Sequence, residues 1–445
     1  MAGSGRKIAV RDHLGVCTTV EMLRRTTERY PAHVAMRMFR NGRYEELTYT
    51  DFSDRVDLLA AGLMRLGIKP GAHVSMLGEN RPEWGMAYLA VHRAGAVCVP
   101  LDSLQKVPEF RHNITDAEVE AVIVSERFLD DILEVREKSG MPRLIICMDK
   151  TDREDVLVMS DVMKGELPST WPEVKLTDLA AIIYTSGTTG QSKGVMLTQR
   201  NIVEDAACTY QVLEFGSNDT FLSVLPLHHT FECTGGFLLP LYAGASITYA
   251  RSLKSRDIID DIKNTGVTFM LGVPLLFEKM MEGIQRKLAQ APASKRILLA
   301  GLFSVEKLGR KFGLRLGYKL FKSLREKAGL ATVRIFCSGG AALPPHVSIW
   351  YQSLGFPLYQ GYGLTETSPV SHVNLDPDYP ASVGFPISCV ETRIDRPGPD
   401  GHGEICLKGP TIMAGYFKNE EATRAAIDPD GWFHTGDIGI EDADG

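Results

Sequence analysis

The sequence of 445 residues is marked first by what it lacks. Its eight cysteines (Cys17, Cys98, Cys147, Cys208, Cys233, Cys337, Cys389 and Cys406) are scattered singly, and no CxxC pair occurs. This excludes the spacing signatures of zinc ribbons and of small disulfide-framed domains. Several sit in apolar runs such as Val97-Cys98-Val99, where cysteine behaves as a small hydrophobe. No apolar stretch approaches the roughly 18 residues of a membrane span, and the first residues carry no apolar core of signal-peptide length. No repeat of solenoid length is present. Basic residues are not in excess: 49 Lys and Arg face 55 Asp and Glu, a net charge of −6, which argues against a nucleic-acid binder. The expectation is a reduced, cytoplasmic protein.

What is present is ordinary globular composition, with 44% apolar and 23% charged residues, 42 Gly and 23 Pro. The length allows about three lobes. From Thr50 onward, helical and β-type patterns alternate. Phe52, Val56, Leu59, Leu63 and Leu66 recur at helical spacing before Gly67. Short apolar runs at 73–77, 96–101 and 121–124 predict strands, and Pro82 opens a helix that Gly95 ends. The alternation restarts at 180–184 and continues through 221–225, 246–249, 267–271 and 333–337. After about Ala381 come short runs punctuated by Pro399-Asp400-Gly401 and Pro429-Asp430-Gly431. The fold class predicted is α/β: two lobes with largely parallel sheets flanked by helices (1–170 and 171–380), and a small β lobe at 381–445.

Between Arg310 and Lys327, seven basic residues face the single acid Glu326, with Phe312, Leu316, Leu320, Phe321 and Leu324 interleaved. A basic amphipathic helix can lie on an anionic membrane surface. The ordinary reading, a solvated helix packing its apolar stripe on a sheet, is preferred.

The most informative stretch follows the apolar run 180–184. It reads Thr185-Ser186-Gly187-Thr188-Thr189-Gly190-Gln191-Ser192-Lys193-Gly194. Glycines let the backbone approach a ligand closely. Backbone N–H groups and hydroxyls can then converge on phosphate oxygens, with Lys193 adding a point charge. Two overlaps fail on inspection. A Walker A loop lacks its second glycine and its magnesium-binding hydroxyl. The GxSxG of Gly190 to Gly194 lies too far past the strand for a hydrolase nucleophile elbow at Ser192.

The loop closely resembles the phosphate loop of adenylate-forming (AMP-binding) enzymes, with Ser192 where that family usually has proline. Further segments resemble the family in the right order: Ser338-Gly339-Gly340-Ala341-Ala342-Leu343, Tyr359-Gln360-Gly361-Tyr362-Gly363-Leu364-Thr365-Glu366-Thr367, Gly403 to Tyr416, and Gly431-Trp432-Phe433-His434-Thr435-Gly436-Asp437. The resemblance implies that Thr185 to Gly190 and Lys193 hold the phosphates. Gly339, Gly340, Ala341, Gln360, Gly361 and Gly363 shape the adenine site, where Tyr362 stacks on the base. Thr365 faces the α-phosphate, Glu366 binds Mg²⁺, and Asp437 accepts the ribose hydroxyls. Pro226-Leu227-His228-His229-Thr230-Phe231-Glu232 resembles the motif beside the acid pocket, placing His229 near the carboxylate and the thiol path.

The implied reaction activates a carboxylic acid with ATP and passes the acyl group to coenzyme A. Lys193, Thr365, Glu366 and His229 are the candidate catalytic residues, and ATP, Mg²⁺ and coenzyme A the implied cofactors and cosubstrates. The branch most resembled is the long-chain fatty acyl-CoA synthetases, with Phe231, Phe237, Leu238, Leu239 and Leu241 as candidate tunnel wall or plain core. Adenylation of an aryl or amino acid, or a non-catalytic nucleotide- or lipid-binding module, are the alternatives. The family pattern continues past Gly445 with a hinge and a small mobile domain carrying a catalytic lysine. The expectation is therefore a large domain that binds its substrates but adenylates weakly alone.

Overall fold

Runs of β-branched and aliphatic residues too short for helices form the strands. The computed structural model, which describes residues 14–185, 192–376 and 379–445, gathers them into three sheets. The first has eight strands around a parallel core of Leu179–Thr185, Val97–Pro100, His73–Leu77, Ala121–Val124 and Leu144–Cys147. At one edge Lys193–Thr198 and Gly415–Tyr416 add antiparallel. The second has nine strands, with Leu358–Tyr362, Ile335–Ser338, Phe269–Gly272, Thr220–Ser223, Ser246–Tyr249 and Val34–Arg40 parallel in its middle. The third is a small antiparallel sheet of Glu391–Asp395, Gly403–Lys408 and Phe433–Gly439. Two α/β layers and a small β lobe are therefore observed.

The sheets are not assembled in chain order. Leu179–Thr185 and Lys193–Thr198 lie past residue 170 yet join the N-terminal sheet, while the hairpin of Val34–Arg40 and Arg43–Thr48 completes the other one. Short non-local strands of this kind are specified by pairing and burial, not by local pattern.

Local chemistry fixes most helices. In Tyr49–Arg65, Thr48 and Asp51 form a capping box, and Phe52, Val56, Leu59 and Leu63 form the buried stripe. Each such side chain removed from water is worth roughly 1.5–3 kcal/mol. The helix stops at Leu66, and Gly67 takes a φ of 87° that disfavours other residues. Helix Pro82–Arg93 ties the sheets together: Trp84 and Tyr88 meet Phe237 edge-on at 6.5 and 6.1 Å. A Cβ on Gly85 would lie 2.7 Å from the Phe237 ring, so glycine permits this close approach.

Two segments differ from the sequence reading. Residues 310–327 are not one helix: helix Ala293–Lys311 ends there, and Gly317–Leu320 and Lys322–Ala328 follow as separate turns. Gly313, at φ 72°, breaks the run. Residues 230–243 are helical throughout, with Cys233–Leu238 wound as a π-helix, a form frequent at functional sites. Glycines and Pro240 mask that helix in the sequence.

Candidate active site

Thr185 ends a strand and pairs in register with Lys193, which begins the antiparallel return strand. The two strands are antiparallel neighbours. Ser186, Gly187, Thr188, Thr189 and Gly190 lie outside the described residues. The return as a strand disposes of both motif overlaps, since a Walker A loop and a nucleophile elbow each lead into a helix. Ser192 Oγ faces Asn113 Oδ1 at 3.4 Å.

From this strand pair a line of contacts runs through the second sheet. The Lys193 ammonium sits 5.1 Å from the centroid of the Tyr416 ring, within cation–π range. Tyr416, on the edge strand beside Lys193–Thr198, donates its hydroxyl to Glu366 Oε1 at 2.8 Å. Burial, and then Glu366 itself, raises the Tyr416 pKa, so the phenol stays a donor. Glu366 lies in the turn Thr365–Thr367 just beyond strand Leu358–Tyr362, and its carbonyl accepts from the Met413 N–H at 2.9 Å. Thr365 shares that turn and is half-buried.

At the end of the same strand, Tyr362 donates to Asp437 Oδ2 at 2.7 Å. Burial and Asp437 raise the Tyr362 pKa as well. The strand segment holding Asp437 is fixed by Glu404 of the neighbouring strand, whose carboxylate accepts from His434 Nδ1 and the Gly436 N–H, both at 2.9 Å. That pairing with His434 keeps Glu404 below the ordinary carboxylate pKa. Thr435 adds a hydrogen bond to the Ile405 carbonyl and accepts from the Asp437 N–H.

Around Tyr362 the backbone is bare. A Cβ on Gly361 would meet only the Ser338 carbonyl at 3.9 Å. One on Gly363 would strike the Pro369 carbonyl at 1.9 Å. Gly339 is buried with the Phe231 ring against it, whereas Gly340 and Ala341 are exposed. Gln360 and Ser338 face each other in register, and the buried Gln360 Oε1 and Ser338 Oγ have no partner. Orphaned acceptors and donors beside open glycine backbone fit a polar ligand such as a base edge. Glu366 fits a magnesium ion in donor chemistry, since Tyr416 engages only one of its oxygens and the cation prefers carboxylates together with phosphates.

His229 stands in a separate group. It is exposed, its ring 4.2 Å from that of buried His228. His228 Nε2 lies 3.0 Å from Asp102 Oδ1, close enough for charge attraction yet misaligned for a hydrogen bond. Proximity to His228 holds the Asp102 pKa down at about 2. Surrounding chain, then His228, lowers the His229 pKa and keeps it neutral. The helix after His229 touches the rest of the site through Phe231 at Gly339 and through Thr234 Oγ1, which donates to the Ser368 carbonyl at 3.0 Å.

The structure thus joins Lys193 to Glu366 through Tyr416, and ties Tyr362, four residues before Glu366, to Asp437. Phe237, Leu238, Leu239 and Leu241 are core residues at 0–2% exposure. Sequence reasoning named Tyr416 only as the end of a segment, and Asp102 carried no signal there at all. A surface groove of about 570 Å³ beside Cys17, Arg93 and Lys175 is lined by none of these residues.

Comparison with known proteins accords with these features. The long-chain-fatty-acid–CoA ligase ACSBG2 of Rattus norvegicus is 29% identical, over 96% of this chain and 68% of that protein. The peroxisomal long chain acyl-CoA synthetase 7 of Arabidopsis thaliana is 29% identical, over 90% of this chain and 60% of its own. Across the curated relatives, this chain spans 60–70% of their length. The inhibitor-bound N-terminal domain of FACL13 from Mycobacterium tuberculosis shares the fold, with a TM-score of 0.78 at 23% identity over 96% of this chain and 98% of that one. The family model for AMP-binding enzymes matches residues 23–417, and the chain belongs to that family.

Proposed function

We propose that this chain is the nucleotide- and acid-binding body of an AMP-forming ligase that activates a fatty acid for transfer to coenzyme A. The observation that carries the reading is the run from Lys193 through Tyr416 to Glu366, with Tyr362, at the end of the strand that leads to Glu366, holding Asp437 of the small sheet. In the first step a carboxylate oxygen attacks the α-phosphorus of ATP. The bond to the bridging β-oxygen breaks, and pyrophosphate leaves. In the second, the coenzyme A sulfur attacks the acyl carbon, its proton passes to solvent, and AMP departs.

Phosphoryl-type chemistry needs positioning and charge stabilisation more than a protein nucleophile. Lys193 attracts the phosphate oxygens, and Thr365 donates to the α-phosphate. Tyr362 presents an aromatic face to adenine, and Asp437 accepts from the ribose hydroxyls. Glu366 would hold a magnesium ion, which when bound neutralises phosphate charge. Neutral His229 can approach the carboxylate without trapping it in an ion pair. A fatty substrate is favoured by the two relatives above, both long-chain acyl-CoA ligases. A hydroxylamine-trapping screen of fatty, aryl and amino acids with ATP and Mg²⁺ tests the reading. Hydroxamate formed from fatty acids supports it, hydroxamate from aryl or amino acids alone moves the substrate class, and none with any acid defeats it.

A further inference from the structure

Eight of the seventeen large apolar residues exposed among the described residues fall between Leu275 and Tyr318. Single exposed hydrophobes need no explanation, but a contiguous set does. Five of these eight belong to helix Ala293–Lys311 and its C-cap, Phe312. Ile297, Val305, Leu308 and Phe312 are 73, 49, 58 and 75% exposed. With Gly301 they recur every three or four residues, so they form one stripe along the helix.

The opposite face already holds this helix to the protein. Phe303 packs on Phe321 at 4.5 Å between ring centroids. Buried Glu306 pairs with Arg310 at 2.9 Å, and Arg310 also donates to Ser353 Oγ at 3.0 Å. The outward stripe is therefore not needed for folding. The helix carries two apolar faces.

Charge selects what covers the second face. Residues 286–327 contain twelve Lys and Arg against two Glu, in a chain whose net charge is −6. Lys295, Arg296, Lys307 and Lys311 are exposed and have no carboxylate partner among the described residues. Two copies of this face would bring like charges together, which disfavours a self-interface. A nucleic acid would use the basic groups but leave the apolar stripe in water. Apolar side chains ringed by long basic ones match a lipid interface, where the former enter the acyl boundary and the latter reach the headgroups.

We propose that the outward face of helix Ala293–Lys311, continued by Phe312 and Leu314, docks reversibly on the surface of an anionic phospholipid bilayer. The proposal goes beyond the ligase reading and stands or falls without it. Among the described residues no helix is long and apolar enough to span a membrane, so the contact is a surface one.

Co-sedimentation of the full chain with vesicles, without ATP or acid, tests the proposal. Vesicles of phosphatidylcholine containing phosphatidylglycerol should bind the protein about tenfold more tightly than pure phosphatidylcholine, and added salt should weaken that binding. The double substitution Leu308→Ser and Phe312→Ser should lower binding by about tenfold with an unchanged melting temperature, as both side chains are exposed. Lys307→Glu with Lys311→Glu should remove the preference for anionic vesicles, an independent check should the serine pair perturb folding. No binding to anionic vesicles, equal binding of both variants and wild type, or a lipid-independent dimer lost in the serine variant would each overturn the proposal.

Discussion

Tyr416 holds Glu366 by a 2.8 Å hydrogen bond while its ring lies under the Lys193 ammonium, so one phenol joins a cation on the first sheet to a carboxylate on the second. Tyr416 offers Lys193 only its ring face and engages one Glu366 oxygen, which leaves Lys193 free for an anion and the other Glu366 oxygen free for a cation. Tyr416→Phe keeps the ring and removes the donor. A hydrogen bond to a charged group contributes about 1.5–3 kcal/mol, and partial exposure favours the lower end. The expected result is a roughly tenfold fall in kcat/KM for adenylation, with melting temperature nearly unchanged. An unaltered kcat/KM would show that the contact is structural only.

Tyr362 has two separable functions, a ring face and a hold on Asp437. Calorimetry with ATP should show a loss of about 1–3 kcal/mol for Tyr362→Ala, the worth of stacking a base on an aromatic ring. Tyr362→Phe should lose less, because only the hydroxyl contact at 2.7 Å disappears. Equal losses for the two variants would place adenine elsewhere.

Glu404 acts on nucleotide binding at one remove, through the strand segment it pins. Removing its carboxylate in Glu404→Ala frees His434 and Gly436 and lets Asp437 wander. The KM for ATP should rise several-fold while the KM for the acid stays put. A parallel rise in both would mean that the small β lobe has come loose as a whole.

Glu232 makes stability depend on pH. It is fully buried, and both carboxylate oxygens lack a partner. Tyr249 and Cys233 feel its charge, and Ser223 with the Leu225 backbone is its nearest polar company. Burial pushes its pKa from 4.5 to about 8. The folded state therefore holds this proton after the unfolded chain has released it. Stability contributed by the neutral acid is intact below pH 4.5, declines between 4.5 and about 8, and levels off above. Glu232→Gln removes that decline, roughly 1.4 kcal/mol per pH unit inside the window. Urea denaturation of both proteins at pH 5 and pH 8 measures the difference. Parallel curves would show that the carboxyl is already ionised in the fold.

Ser192 separates ligase from hydrolase chemistry. Its neighbour is Asn113, and the chain leaves it as a strand instead of the helix a nucleophile elbow needs. A fluorophosphonate should leave the protein unlabelled, and Ser192→Ala should retain adenylation. Stoichiometric labelling at Ser192 would reverse the assignment.

Most elements were legible in the sequence because they are written in local pattern. Ser246–Tyr249 and Pro345–Ser353 were read to the residue, and Pro82–Arg93 to within one. Gly67 and Gly95 end their helices as expected, both with φ above 70°. The hairpin Val34 to Thr48 was missed: its strands are rich in charge, and their burial comes from a partner strand more than 200 residues away. The π-helix was missed because paired glycines and a proline speak against helix, and packing against Trp84 and Tyr88 overrides that preference.

By itself the sequence determined the alternation of strands and helices, the ordered motifs from Thr185 to Asp437, and the excess of basic residues before strand Ile335–Ser338. Each depends only on neighbours along the chain. The tertiary structure alone decided that Tyr416 couples Lys193 to Glu366, that Asp102 sits beside His228, and that one face of helix Ala293–Lys311 remains uncovered. Those are relations between residues tens or hundreds of positions apart, fixed by which sheet each strand joins and which side of a helix meets the core, and no local periodicity encodes them.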